Sequence, residues 1–74
     1  MAYQGYSSRA AWNVSLWINN DEGLYSLARQ CTRRNTRPQA ACAMLDALHE
    51  MGVEQTPDGY RYTVTSIRAA LVGL

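Results

Sequence analysis

The stretch Trp12–Tyr25, WNVSLWINNDEGLY, decides how the rest of the chain is organised. Wound as a helix at about 100° per residue, Trp12 and Leu16 lie on one side while Ala10, Ala11, Val14, Trp17 and Ile18 crowd the other. Only Asn13, Ser15 and Asn19 interrupt this apolar girdle. A helix that is apolar nearly all round belongs inside a core, so the segment is expected at its centre with other elements on both flanks. Each tryptophan adds a large apolar area and an indole N–H that wants an acceptor. Trp12, Val14, Leu16 and Ile18 also alternate with period two, the pattern of a strand. Helix is the better reading, because Ser7 and Ser8 offer N-caps, Ala10 and Ala11 are strong helix formers and β-branched residues are few.

Asn19-Asn20-Asp21-Glu22-Gly23 ends that helix and starts a second. Asn or Asp caps the new helix, and two carboxylates fall where its dipole is positive. Capping accounts for Asp21 and Glu22 without a metal or catalytic role. Leu24, Leu27, Ala28 and Cys31 then recur on one helical face, with Arg29 and Arg33 on the opposite one. Thr36-Arg37-Pro38 closes this helix and opens a third, because proline breaks the helix before it but fits a first turn. The third helix is predicted from Pro38 to Met51, with an apolar stripe of Ala41, Met44, Leu45, Leu48 and Met51, and Gly52 as its stop. Asp46 and Glu50 face solvent on this reading.

Thr56-Pro57-Asp58-Gly59 is a turn signal, and Tyr60–Val64 alternates like a short extended segment. Thr65 or Ser66 is expected to cap a last helix in which Ile67, Ala70, Leu71 and Leu74 share a face. Ahead of all this, Gly5 suits a turn. The sum is a single all-α domain, 1–74, of about four short helices. The alternative is an α+β domain in which residues 12–18 and 60–64 form a two-stranded element.

The chain has 74 residues, so its core is small and extra stabilisation from a partner or a second copy is expected. A hydrophobic share of 47% suits a globular fold, yet no apolar run reaches the length of a membrane span. The opening residues MAYQGYSSR lack the charged start and apolar centre of a signal peptide, which makes a cytoplasmic protein the expectation. Cys31 and Cys42 are too few for a disulfide scaffold and fall at helix-core spacing, so reduced, buried thiols are expected.

A formal net charge of +1 argues against both a wholesale DNA mimic and a strongly basic nucleic-acid binder. The distribution is more telling than the total. All seven basic residues are arginine, and Arg29, Arg33, Arg34 and Arg37 cluster. Such a cluster can be a solvated face that complements a helix C-terminus. It can also recognise an acidic protein surface through planar, bidentate hydrogen bonds. Contact with a nucleic-acid backbone ranks third, since the net charge is low and no DNA- or RNA-binding motif is readable. Asp46, Glu50 and Glu54 suggest an opposite use, a carboxylate row filling a basic groove on a nucleic-acid-handling partner, though a row of this kind also serves as a solvated helix face.

His49 is the single histidine. Cys42, Asp46 and His49 share a flank of the third helix, but their spacing matches no zinc pattern and no fourth ligand is evident. The sequence has no phosphate-cradling glycine loop, no Gly-x-Ser-x-Gly elbow and no Cys-x-x-Cys pair. Neither a metal, nor a cofactor, nor enzymatic activity is expected.

Tyr3, Gly5 and Tyr6, then Trp12, Asn13, Val14, Leu16 and Trp17, then Asn20 to Tyr25, carry a resemblance. The chain resembles a family of short, uncharacterised proteins of tailed phages and prophages that share W-N-V-x-L-W-x-x-N-D-E-G-L-Y. The match covers about the first third of the chain. Family members often place an acidic residue before the first tryptophan, where Ala10 and Ala11 stand here. The resemblance implies a mobile-element origin and nothing catalytic. By analogy with small phage proteins that disable host factors, the expected function is a non-enzymatic inhibitor that binds a host defence complex, anti-CRISPR in type. Arg29, Arg33, Arg34 and Arg37 are the first candidates for that contact, and Asp46, Glu50 and Glu54 the second. The alternatives are a small nucleic-acid-binding accessory or regulator, for which a homodimer is an open form, and a homo-oligomeric structural protein.

Overall fold

The computed structural model describes residues 8–72, so the expected turn at Gly5, the alternative cap Ser7 and the apolar Leu74 lie outside the described residues. The described chain is all-α: α1 (Arg9–Asn20), α2 (Glu22–Arg34), α3 (Arg37–Glu50) and α4 (Val64–Ala70). The four helices close a ring, in which α1 packs on α2 and α4, and α3 packs on the same two. Val14 and Ile18 of α1, Ala28 of α2, Met44 and Leu48 of α3, and Ile67 and Leu71 from the α4 region meet in one buried cluster.

Local chemistry sets each boundary. The Ser8 hydroxyl accepts the Ala11 N–H at 3.1 Å and starts α1. Asp21 ends α1 and caps α2, its carboxylate accepting the Leu24 N–H at 2.9 Å. At the head of α3 the Gln39 side-chain oxygen accepts the Thr36 N–H at 3.2 Å. That helix begins at Arg37, one residue before the predicted start, with Pro38 in its first turn. It closes on Gly52, whose φ of 77° suits a residue without Cβ. The Gly52 N–H bonds the His49 carbonyl at 3.0 Å and the Val53 N–H bonds the Leu48 carbonyl at 2.8 Å, the paired bonds of a Schellman stop.

Residues 12–18 are helical, and the strand alternative for 12–18 and 60–64 is overturned. What remains of the extended segment is an isolated antiparallel bridge between Gln55 and Arg61, closed by the turn at Thr56–Gly59. Its extension toward Val64 is cut off because Thr63, rather than Thr65 or Ser66, caps α4. The Thr63 hydroxyl accepts the Ser66 N–H at 3.1 Å, and the Ser66 hydroxyl accepts the Thr63 N–H at 3.0 Å. This reciprocal box fixes the helix start two or three residues earlier than the expected caps.

Three expectations about burial also change. α1 is not buried all round: Val14 and Ile18 are fully enclosed, but Leu16 is 39% exposed and both tryptophans are half-buried. A member of a four-helix ring has two neighbours and so keeps one face toward solvent. The polar Asn13 and Ser15 are buried in exchange. Cys42 is exposed and Cys31 half-buried, so the buried-thiol expectation fails for Cys42. It sits one position past Ala41 and therefore off the stripe that faces the core. Met51, expected on that stripe, caps α3 and is 61% exposed.

Candidate functional site

α2 and α3 are joined by Asn35 and Thr36 alone, which forces an antiparallel hairpin. The start of α2 therefore lies beside the end of α3. Gly23, Leu24 and Leu27 face Ala47, Glu50 and Met51 across an apolar groove of about 430 Å³, with Asp21 at its rim. The other end of the hairpin is basic. Arg33 and Arg34 occupy the last turn of α2, and Arg37 is the first residue of α3. The hairpin is thus acidic at its open end and basic at its tip.

All four arginines of the candidate cluster are exposed, with Arg34 about 140° from Arg29 around α2. Arg29 leans on Tyr25 one turn back: its Nη1 donates to the phenol oxygen at 3.3 Å, with the guanidinium 5.9 Å from the ring centroid. Arg33 and Arg34 line a cavity of about 310 Å³ with Gln30, Cys31 and Asn35. Arg37 lies across the tip, in a depression shared with Thr32, Asn35 and Leu71. The dipole of α2 favours Arg33 and Arg34 at its C-terminus. Arg37 has no such account, since it sits at the positive end of α3, a helix with no acidic residue in its first turn.

Asp46 and Glu50 are exposed one turn apart on α3, as expected. Glu54 does not continue their row, because the stop at Gly52 turns the chain first; its carbonyl instead accepts the Tyr62 N–H at 3.1 Å. His49 is exposed on α3. Among the described residues no group of three His, Cys, Asp or Glu side chains is placed to hold a metal ion, Cys42, Asp46 and His49 included. Burial raises the pKa of the Cys31 thiol above its ordinary value and keeps it protonated.

A second polar constellation joins residues that sequence reading treated separately. Asp58, in the turn before α4, accepts the Asn13 side-chain N–H at 2.8 Å and the Trp17 indole N–H at 2.9 Å. The Thr56 hydroxyl donates to the Asn13 side-chain oxygen at 2.7 Å and accepts the Tyr60 N–H at 3.2 Å. Asn13 and Trp17 are one turn apart on α1, so one face of that helix reads one turn of chain. The two donors to Asp58 hold its carboxyl below the ordinary carboxylate range. The available signal was an indole and an amide at i, i+4 spacing on an apolar helix, both short of acceptors. Among the described residues no buried side-chain polar atom lacks a partner, and the network ties the turn to α1.

The fold and surface define a small all-α domain with a charged helical hairpin on one side and an internally stitched turn on the other. The chain belongs to a family of unknown function, DUF7249, whose model matches residues 1–72. No curated protein and no solved structure matches it.

Proposed function

We propose that this chain is a non-enzymatic binding protein whose contact surface is formed by Arg29 and Arg33 on α2 and Arg37 at the head of α3, and whose partner presents an acidic protein surface. The observation that carries this reading is Arg37. A cation at a helix N-terminus opposes the helix dipole at a cost of about 0.3–1 kcal/mol, so the fold gains nothing from its charge. An exposed guanidinium placed against its own helix suits an anion from outside. That every basic residue is arginine supports a planar, bidentate contact with carboxylates. The resemblance of Trp12–Tyr25 to tailed-phage proteins supports a host defence complex as the partner, a CRISPR effector among the candidates, disabled in the host cytoplasm by coverage of a working surface. Asp46, Glu50 and Glu54 are the second candidate surface.

The test is affinity capture of the tagged chain's partner from host lysate, with and without nuclease, alongside an Arg29/Arg33/Arg37→Ala variant. A nuclease-resistant defence complex that is lost with the variant is the expected result. Capture of nucleic acid alone, with binding that falls steeply as salt rises, replaces this reading with that of a nucleic-acid accessory. Capture that persists in the arginine variant and disappears in Asp46/Glu50/Glu54→Ala moves the contact to the acidic surface.

A further inference from the structure

We infer that the flank of α2 carrying Gly23, Leu27, Gln30 and Arg34 is covered by a second copy of this chain, packed antiparallel about a two-fold axis. The four residues recur at i, i+4, i+7 and i+11 and so share one ridge, about 16 Å long at the helical rise. One end of the ridge opens on the apolar groove rimmed by Asp21 and Glu50. The other end enters the cavity that Arg34 lines. Rotation about a point between Leu27 and Gln30 sets Gly23 of each copy against Arg34 of the other, and Leu27 against Gln30.

The charges select this arrangement. Antiparallel packing brings each Arg34 guanidinium to the other copy's Asp21 and Glu50 carboxylates, whereas parallel packing would set arginine against arginine. The arginine stem then lies over Leu24, Leu27 and the exposed Met51, covering apolar groove wall as its head group pairs. Gly23 has no side chain to hold the helices apart. Two-fold symmetry repeats every one of these contacts. The domain has reason to gain from the burial, because Ala11, Ala28, Ala40, Ala41 and Ala70 supply much of a thin core. Arg29 is set off this ridge by about 100° or more, so dimerisation leaves it free. The inference stands apart from the proposed function, since purified protein alone decides it.

Sedimentation equilibrium on the purified full chain should show the mass climbing with concentration toward twice that of the monomer. Arg34→Glu and Glu50→Arg should each weaken association by about tenfold or more, because each sets like charges together. Combined in one chain, the two changes restore the opposite-charge pair between positions 34 and 50 while Asp21 meets a like charge, and dimerisation should return in part, above the level of either single change. Arg61→Glu, a charge reversal in the Gln55–Arg61 bridge region, should leave it unchanged. Circular dichroism of every variant confirms that the helices persist. A monomer at all concentrations up to about 1 mM overturns the inference. So does a dimer indifferent to both single changes, or a double variant no better than either single.

Discussion

The polar residues of α1 and those of the α2–α3 hairpin are put to opposite uses. On α1, Asn13 and Trp17 bond within the molecule, and their donors end on Asp58 while Thr56 completes the set. On the hairpin, Arg33, Arg34 and Arg37 are exposed at a tip where three positive charges gather. A polar group with partners inside the molecule contributes to stability, and its loss leaves another group unsatisfied. An exposed cation set against a helix dipole does the fold no such service. Stability and binding should therefore separate in this molecule, the first sensitive to the stitched turn and the second to the tip.

The largest effect is expected at Asn13. Asn13→Ala removes the acceptor of the hydroxyl hydrogen of Thr56, a residue 1% exposed, and should cost about 1–3 kcal/mol in urea or thermal unfolding. In a domain of this size that lowers the melting midpoint by about 4–8 °C per kcal/mol. A midpoint unchanged by the substitution would remove the stitch from the account of stability. Trp17→Phe keeps the ring but deletes the N–H to Asp58, and it should cost less than Asn13→Ala; the reverse order would mean that the indole bond dominates.

Acid should act on the same side of the comparison. Because Asn13 and Trp17 donate to ionised Asp58, its folded pKa lies below the ordinary 3.8. Its contribution to stability is present above that ordinary value and is lost as pH falls through the lower folded one. Asp58→Asn should flatten this acid limb when unfolding is followed by tryptophan fluorescence. Identical limbs in the two proteins would uncouple the carboxylate from folding.

The hairpin should show the smallest stability changes. Arg37→Glu puts an acid at the positive end of α3 and should raise stability by about 0.3–1 kcal/mol while abolishing partner capture. A loss of stability in that variant would show that Arg37 has a partner in the fold. Arg33→Ala should stay within about 0.5 kcal/mol of the parent in the same unfolding measurement.

Much of the fold was legible because helix boundaries are local chemistry. Ser8, Asp21, Pro38 and Gly52 act within one turn of their own positions, so their types predict their roles. The faces of α2 and α4 followed equally well from spacing, with Ala28, Ile67, Ala70 and Leu71 all buried. The candidate arginines and carboxylates were found as exposed residues, but their grouping was not. Arg34 diverges from Arg29 by rotation about α2, and Glu54 leaves the row of Asp46 and Glu50 because the chain turns at Gly52. Cap competition moved the last helix: Thr63 and Ser66 bond each other, and a sequence with Thr63, Thr65 and Ser66 in a row of candidates does not rank them.

The sequence by itself determined an all-α chain of four short helices and where three of them begin, because caps, breakers and apolar spacing act over three or four residues. Only the tertiary structure decided which side of α1 is covered and why Asn13 is buried. That depends on Thr56 and Asp58, more than forty residues away. It also brought the acidic start of α2 beside the end of α3 and left the arginines at the far tip. Such pairings are long-range and set by how helices close a ring, which no local spacing records.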